Sequence, residues 1–285
     1  MKEINVTLFF VIIFLLVQFL GLYIGSQYLE VVNAGQIEPV FENPQSSSNS
    51  FLLIIYVLVG TGLILLAVKF WKFLIRIIEA VAIFSSSTLA FMFLVPVEIL
   101  TIPVGVFIAL ALTAWKMLRP TFISQNIALV FSVAGAGAII GASLGIVPSL
   151  IFIILLSIYD FIAVFVTKHM VYMAKEIIKT PTVFTLAFPY KFKKPVKFSA
   201  AGKSVKKKFH VFQLGGGDIA IPLMFSVSSL SSFSIANTLL SVVGSTIALG
   251  VLIYFSSKRP GRALPALPFI TAGAILGLLI SFLIF

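Results

Sequence analysis

Val147–Lys168 reads VPSLIFIILLSIYDFIAVFVTK, and the fold turns on how this stretch is read. A helix rises about 1.5 Å per residue, so ~20 apolar residues cross the ~30 Å hydrocarbon core of a bilayer. The stretch has that length and composition. Between its ends it carries a single ionisable side chain, Asp160. Insertion scales place Asp at a helix centre at about +2.5–3.5 kcal/mol, so a carboxyl kept there is by default a functional group.

Working outward, eight more runs of the same kind appear: Val6–Tyr28, Phe51–Val68, Phe73–Val95, Val97–Leu118 and Asn126–Gly145 before it, and Leu214–Phe233, Ile235–Phe255 and Leu264–Ile284 after it. The sequence therefore predicts an all-α, multi-pass integral membrane protein of nine transmembrane helices. Composition excludes the alternative. The 285 residues are 60% hydrophobic and only 10% charged, with 29 Phe and a mean hydropathy of +1.17. Soluble chains carry about 25% charged residues. The absence of Cys removes disulfides, thiolate nucleophiles and Cys-ligated zinc together. The first run has a Lys2 before it and Val32–Asn33–Ala34 after it, as a signal peptide would. Its apolar length exceeds the ~7–15 residues of a signal core, so an uncleaved first helix is expected.

Charge gives the orientation. The first connection holds Glu30, Glu38 and Glu42 and no Lys or Arg; the second holds Lys69, Lys72 and Arg76. The third has Glu98, the fourth Lys116 and Arg119, and the eighth Lys258, Arg259 and Arg262. With nine spans all 20 Lys and Arg fall on one face, and the positive-inside rule puts the N-terminus in the cytoplasm and the C-terminus outside. The only long connection, His169–Gln213, collects Lys191, Lys193, Lys194, Lys197, Lys203, Lys206, Lys207 and Lys208. It reads as a topology anchor and linker, with attraction to anionic lipid headgroups as the functional alternative and no role in binding nucleic acid. The chain divides into a six-helix part (1–176), a basic cytoplasmic loop (177–213) and a three-helix part (214–285).

Three acids fall inside spans: Glu79, Asp160 and Asp218. Glu79 lies one turn from Arg76 near the inner end of its helix, and pairing or snorkelling accounts for it. Asp160 lies eight residues before Lys168, roughly 12 Å along a helix, and Asp218 roughly 6 Å into the seventh span. The sixth span runs inward and the seventh outward, so both carboxyls sit in the cytoplasmic half and can face each other. Two carboxyls sharing a site in low dielectric keep one proton between them and titrate as a unit. In that state one can take a proton from water while the other polarises a carbonyl.

The surroundings sharpen this. Asp160 follows Tyr159, and Asp218 ends Gly215–Gly216–Gly217–Asp218. Glycine, lacking Cβ, allows a close backbone approach and a departure from helical geometry. The chain resembles the presenilin and signal peptide peptidase family of intramembrane aspartyl proteases. Those proteins carry Tyr-Asp in the sixth of nine helices, Gly-x-Gly-Asp in the seventh and Pro-Ala-Leu at the start of the ninth. Here the last corresponds to Pro265–Ala266–Leu267. The resemblance implies Asp160 and Asp218 as the catalytic pair, with Tyr159, Gly215, Gly216, Gly217, Pro265, Ala266 and Leu267 supporting the site and substrate. It implies no cofactor and no metal. Gly216 replaces the family's usual Leu, a change that bears on substrate preference. From the residues alone, Leu264–Pro268 reads as an extended, donor-poor stretch able to pair with an unwound strand, or simply as a helix start.

The orientation is that of presenilins rather than of signal peptide peptidases, implying substrates that are membrane helices with their N-termini outside. The compact chain looks like a homologue from a microbial cell membrane that needs no accessory subunits; a homo-oligomer is left open. A different class, an ion- or proton-coupled transporter or leak channel, would use the same two Asp as a relay. It does not predict Pro265–Ala266–Leu267. Gly141–Ala142–Ser143–Leu144–Gly145 matches the G-x-S-x-G of serine hydrolases, but His169 and His210 are expected on the face opposite Ser143. Gly137, Gly141 and Gly145, like Gly21–Gly25 and Gly273–Gly277, read instead as close helix contacts. A zinc protease is excluded by the lack of H-E-x-x-H.

Overall fold

A computed structural model of the chain describes residues 2–70, 72–99, 102–166, 185–190, 210–258 and 265–285. The amphipathic extension His169–Ile178, the Lys191–Lys208 run, Arg259 and Arg262 lie outside the described residues. Nine α-helices are present among the described residues: α1 (Lys2–Asn33), α2 (Ser48–Phe70), α3 (Lys72–Leu94), α4 (Val104–Leu118), α5 (Phe122–Ala142), α6 (Ile146–Phe161), α7 (Gly217–Ser232), α8 (Ile235–Lys258) and α9 (Leu267–Ile284). Prolines punctuate them where the missing N–H does least harm, at Pro148 near the start of α6 and Pro268 at the start of α9.

Among the described residues, six segments are long and apolar enough to cross a membrane: Ile4–Asn33, Phe73–Leu94, Phe122–Ala142, Ile146–Val166, Ile235–Ser257 and Leu267–Ile284. Helix α2, Ser48–Phe70, is apolar along most of its 23 residues, and the two remaining cases have local causes. The expected fourth span begins seven residues late, because Glu98–Ile99 (β1) and Ile102–Pro103 (β2) pair as a small antiparallel hairpin and α4 starts only after Pro103. The expected seventh span loses its first residues to a strand. Thr185–Tyr190 (β3) and His210–Gly215 (β4) form an antiparallel ribbon in the register Thr185↔Gly215 to Tyr190↔His210. Val211–Phe212–Gln213–Leu214 alternates around aromatic and β-branched residues, a strand pattern that a count of apolar residues absorbs into the helix. The fold is thus helical with two short ribbons rather than purely helical.

The sixth span also differs from a continuous helix. Just after Asp160, α6 ends at Phe161 and Ile162–Val166 form a π turn. Such turns inside helices are uncommon and recur at functional sites.

Helix α7 lies at the centre, touching α1, α5, α6, α8 and α9. Glycines make that possible. A methyl group on Gly21 would come 2.4 Å from Leu223, on Gly25 2.5 Å from Val227, and on Gly141 2.4 Å from the Met224 carbonyl. Helices α1 and α5 therefore close onto α7 at distances no larger residue allows. The α8–α9 pair is equally tight, with a methyl on Gly277 only 2.2 Å from the Leu240 carbonyl. Lipid supplies no hydrophobic drive between helices, so this contact area is the main source of cohesion. Phe10, Phe14, Leu223 and Phe225 fill the centre at complete burial, while Phe51, Ile55, Val59 and Leu63 of α2 stay outward-facing and apolar. An apolar outer surface of this kind matches lipid rather than water.

Because α7 is surrounded by helices, it tolerates polar residues. Ser228 donates to the Leu144 carbonyl at 2.6 Å and Ser226 to the Pro222 carbonyl at 3.0 Å.

Candidate active site

Asp160 is the penultimate residue of α6, and Asp218 stands in the first turn of α7. Asp160 is 7% exposed; Asp218 is half-buried. The two carboxyls are close enough that Asp160 acts electrostatically on Asp218. This is the juxtaposition expected of antiparallel sixth and seventh spans.

Each carboxyl meets a backbone donor from a different motif. The Asp160 carboxyl receives a hydrogen bond from the Leu267 backbone, at the first residue of α9. The opening N–H groups of a helix have no intrahelical acceptor and carry the positive end of its dipole. The start of α9 is therefore a natural seat for a carboxylate. The Asp218 carboxyl receives a hydrogen bond from the Gly215 backbone, at the end of β4. Its own carbonyl has lost its helical donor, because residue 222 is proline. One oxygen of the pair, Asp160 Oδ2, is buried with no hydrogen-bond partner among the described residues.

The support around Asp160 is built from α6 and α9 together. One turn before it, Ser157 Oγ lies 2.8 Å from Thr271 Oγ1, so the two helices are hydrogen-bonded beside the carboxyl. Tyr159 packs half-buried against the cluster that includes Phe152, Phe225 and Leu267. Pro265, Ala266 and Leu267 are all buried. Their backbone is not an extended strand: Ala266 has φ −82° and ψ −37°, already helical, so the segment acts as a helix start with its first donors aimed inward. Leu264 lies outside the described residues, and the helical Ala266 fits the helix-start reading of the rest of the stretch.

The three glycines before Asp218 are also redefined. Gly216 has φ −60° and ψ −32°, and the described glycine with positive φ is Gly35, so the turn into α7 asks for no glycine-only conformation. What Gly215 provides is space. A methyl group there would stand 3.1 Å from Asp218 Oδ2. Gly217 is exposed, and its added methyl would approach Ile221 only to 3.9 Å.

Two further sequence readings concern Glu79 and Ser143. Glu79 is not matched to Arg76, which is exposed; it is buried against Lys116 of α4. Lys116 therefore serves inside the bundle as well as in the charge pattern. Arg76 is exposed on α3 and close enough to act electrostatically on Lys116. Ser143 is buried at the C-terminal end of α5, 3.0 Å from the Tyr28 hydroxyl and accepting from the Val40 N–H at 3.2 Å. It fastens the first connection to the bundle. Sequence reasoning missed Gln125 and Asn126, which bond to β3 from the start of α5. Nothing in their local sequence signals a partner 60 residues away.

With this geometry in place, comparisons with known proteins are direct. The family described as "signal-peptide peptidase, presenilin aspartyl protease" matches residues 11–285. A solved structure of a presenilin family intramembrane aspartate protease in a C222 space group is similar at a TM-score of 0.69 and 25% identity, over 98% of this chain and 99% of that one. One in a P2 space group gives 0.67 and 26%, over 96% of each chain. A search of curated proteins finds no match. The family match covers nearly the whole sequence, and the chain belongs to the signal-peptide peptidase and presenilin family of intramembrane aspartyl proteases.

Proposed function

We propose that Asp160 and Asp218 are the catalytic pair, and that the enzyme hydrolyses peptide bonds within transmembrane helices of single-span proteins. The observation that carries this reading is the meeting of two carboxyls from α6 and α7, each held by a main-chain donor from a neighbouring motif. A shared proton gives the pair its two roles. The ionised carboxyl removes a proton from water as the oxygen attacks the scissile carbonyl carbon. The protonated one donates to the carbonyl oxygen, producing a neutral gem-diol. Proton return to the amide nitrogen then breaks the C–N bond. Leu267 and Gly215 hold the carboxyls, Tyr159, Pro265 and Ala266 support the Asp160 side, and Gly216 and Gly217 keep the Asp218 approach unobstructed. The absence of a side chain at Gly216 bears on which substrate residues fit.

The charge pattern supports a cytoplasmic N-terminus and an external C-terminus, and hence a cytoplasmic-half site and substrates with external N-termini. It also supports the division into 1–176, 177–213 and 214–285, with the basic connection lying against anionic headgroups. The compact chain suits a microbial cell membrane.

Reconstitution with a single-span reporter tests the reading. Wild type is expected to release two fragments whose ends map inside the span. Asp160→Asn and Asp218→Asn are expected to release none, and cleavage that survives either change would refute the assignment.

A further inference from the structure

The ribbon that delivers Asp218 is fastened by side chains from α5. Asn126 Nδ2 donates to the Ala187 carbonyl at 2.9 Å, and Asn126 Oδ1 accepts from the Ala187 N–H at 2.9 Å. Gln125 Nε2 donates to the Thr185 carbonyl at 2.8 Å. A carboxamide has the donor and acceptor of a peptide group, so Asn126 makes the pair of bonds that a neighbouring strand would make. Its own placement is fixed one turn earlier. Thr121 Oγ1 accepts from the Ser124 N–H at 3.1 Å, and Ser124 Oγ accepts from the Thr121 N–H at 3.0 Å, a reciprocal cap that defines where α5 begins.

The hydrogen-bond pattern then follows along the ribbon. In an antiparallel pair, alternate residues turn both main-chain groups toward or away from the partner strand. Ala187 gives both of its groups to Asn126, so Thr185, Ala187 and Pro189 face away from β4, while Leu186, Phe188 and Tyr190 face it. Pro189, with no N–H to offer, falls on the outward set where a strand tolerates it. The residues opposite the outward set are Gly215, Gln213 and Val211. They turn their main-chain groups to the far edge of β4, and on that edge the Gly215 backbone reaches Asp218. A slip of one residue in this register would turn the Gly215 N–H to the other side.

We propose that Asn126 is a positioning residue for Asp218: its carboxamide closes the outer edge of β3, sets the register of the β3–β4 ribbon and so keeps the Gly215 N–H on the Asp218 carboxyl. Gln125 reinforces the same edge. The proposal rests on the assignment of Asp218 to catalysis. No part of Asn126 touches the reacting atoms.

The test uses the full chain reconstituted with a single-span reporter, with active enzyme counted by titration with a transition-state-mimicking aspartyl inhibitor. Asn126→Leu keeps the volume and removes both bonds. It is expected to lower kcat per active site by between about tenfold and a hundredfold, with KM changed less than about twofold. Hydrogen exchange at the Ala187 amide is expected to accelerate, and mass spectrometry of the fragments to show cleavage spread over neighbouring bonds. Asn126→Asp retains the acceptor for the Ala187 N–H and is expected to keep slow exchange there and recover most of kcat. Should Asn126→Leu fail to fold, Gln125→Ala, which removes the bond to the Thr185 carbonyl, is read by the same measurements. Unchanged kcat and cleavage positions in a variant whose Ala187 exchange has accelerated would overturn the proposal, as would unchanged exchange. The exchange readout needs no activity, so a failure of the clamp is distinguishable from a failure of the dyad, which Asp218→Asn reports separately.

Discussion

Among the described residues, two pairs of ionisable groups meet between helices of this bundle, and they are built on opposite principles. Glu79 and Lys116 join α3 to α4 as a buried pair of opposite charge, 2% and 3% exposed. Asp160 and Asp218 bring two groups of the same sign together between α6 and α7. Each pair leaves one carboxylate oxygen, Glu79 Oε2 or Asp160 Oδ2, buried without a partner among the described residues. An unpartnered oxygen is therefore no mark of a site by itself. The sign of the neighbour makes the difference: a cation neutralises the acid and gives a strut, whereas a second acid gives a pair that must hold a proton between its members.

The comparison can be broken in several places. The largest effect belongs to the like-charged pair. Asp218→Asn is expected to cut cleavage of a membrane reporter by more than about a thousandfold, equivalent to ~4 kcal/mol of lost transition-state stabilisation, while the protein still folds. Fragment assay and melting curve together check this. Glu79→Gln should behave in the converse way. It leaves Lys116 charged and uncompensated, and about 3–5 kcal/mol of stability should disappear with little change in kcat per folded enzyme. Replacing both partners by apolar residues of similar volume should recover most of that loss in a denaturation series. A smaller effect is expected for Gly215→Ala. The new methyl, 3.1 Å from Asp218 Oδ2, should displace the carboxyl by a few tenths of an ångström and lower kcat by roughly tenfold to a hundredfold. The smallest belongs to the link beside Asp160. Thr271→Val removes the hydroxyl 2.8 Å from Ser157 and should lower stability by about 1 kcal/mol, with a modest fall in kcat.

How much of this was legible in the sequence varied with the range of the interaction. The spans announce themselves because a bilayer demands length and apolarity from each helix alone. Val97–Pro103 misled that reading because a hairpin is as apolar as a helix there. Leu214–Gly216 misled it because a strand leads directly into α7. The two Asp stand out because the positive-inside reading accounts for the Lys and Arg and leaves these two carboxyls without a counterpart. Gly21, Gly25 and Gly141 were recognisable as contact points, but their shared partner, α7, appears only when three helices close on it. Gly215, read as allowing close approach and a departure from helical geometry, also gives clearance to the Asp218 carboxyl, which the sequence does not reveal. Lys116 beside Glu79 and Asn126 beside Ala187 were invisible, since each depends on a tertiary contact that local pattern does not encode.

The central claim is that Asp160 and Asp218 act as one unit, and a comparison of single and double variants tests it most directly. Reporter cleavage is measured for Asp160→Asn, Asp218→Asn and the double variant, each reconstituted at equal folded amount. Groups that share one proton lose their function together, so all three are predicted to fall to the same background rate, with no further loss in the double variant. Substantial cleavage in either single variant, or a double variant whose loss is the product of the two, would contradict the account.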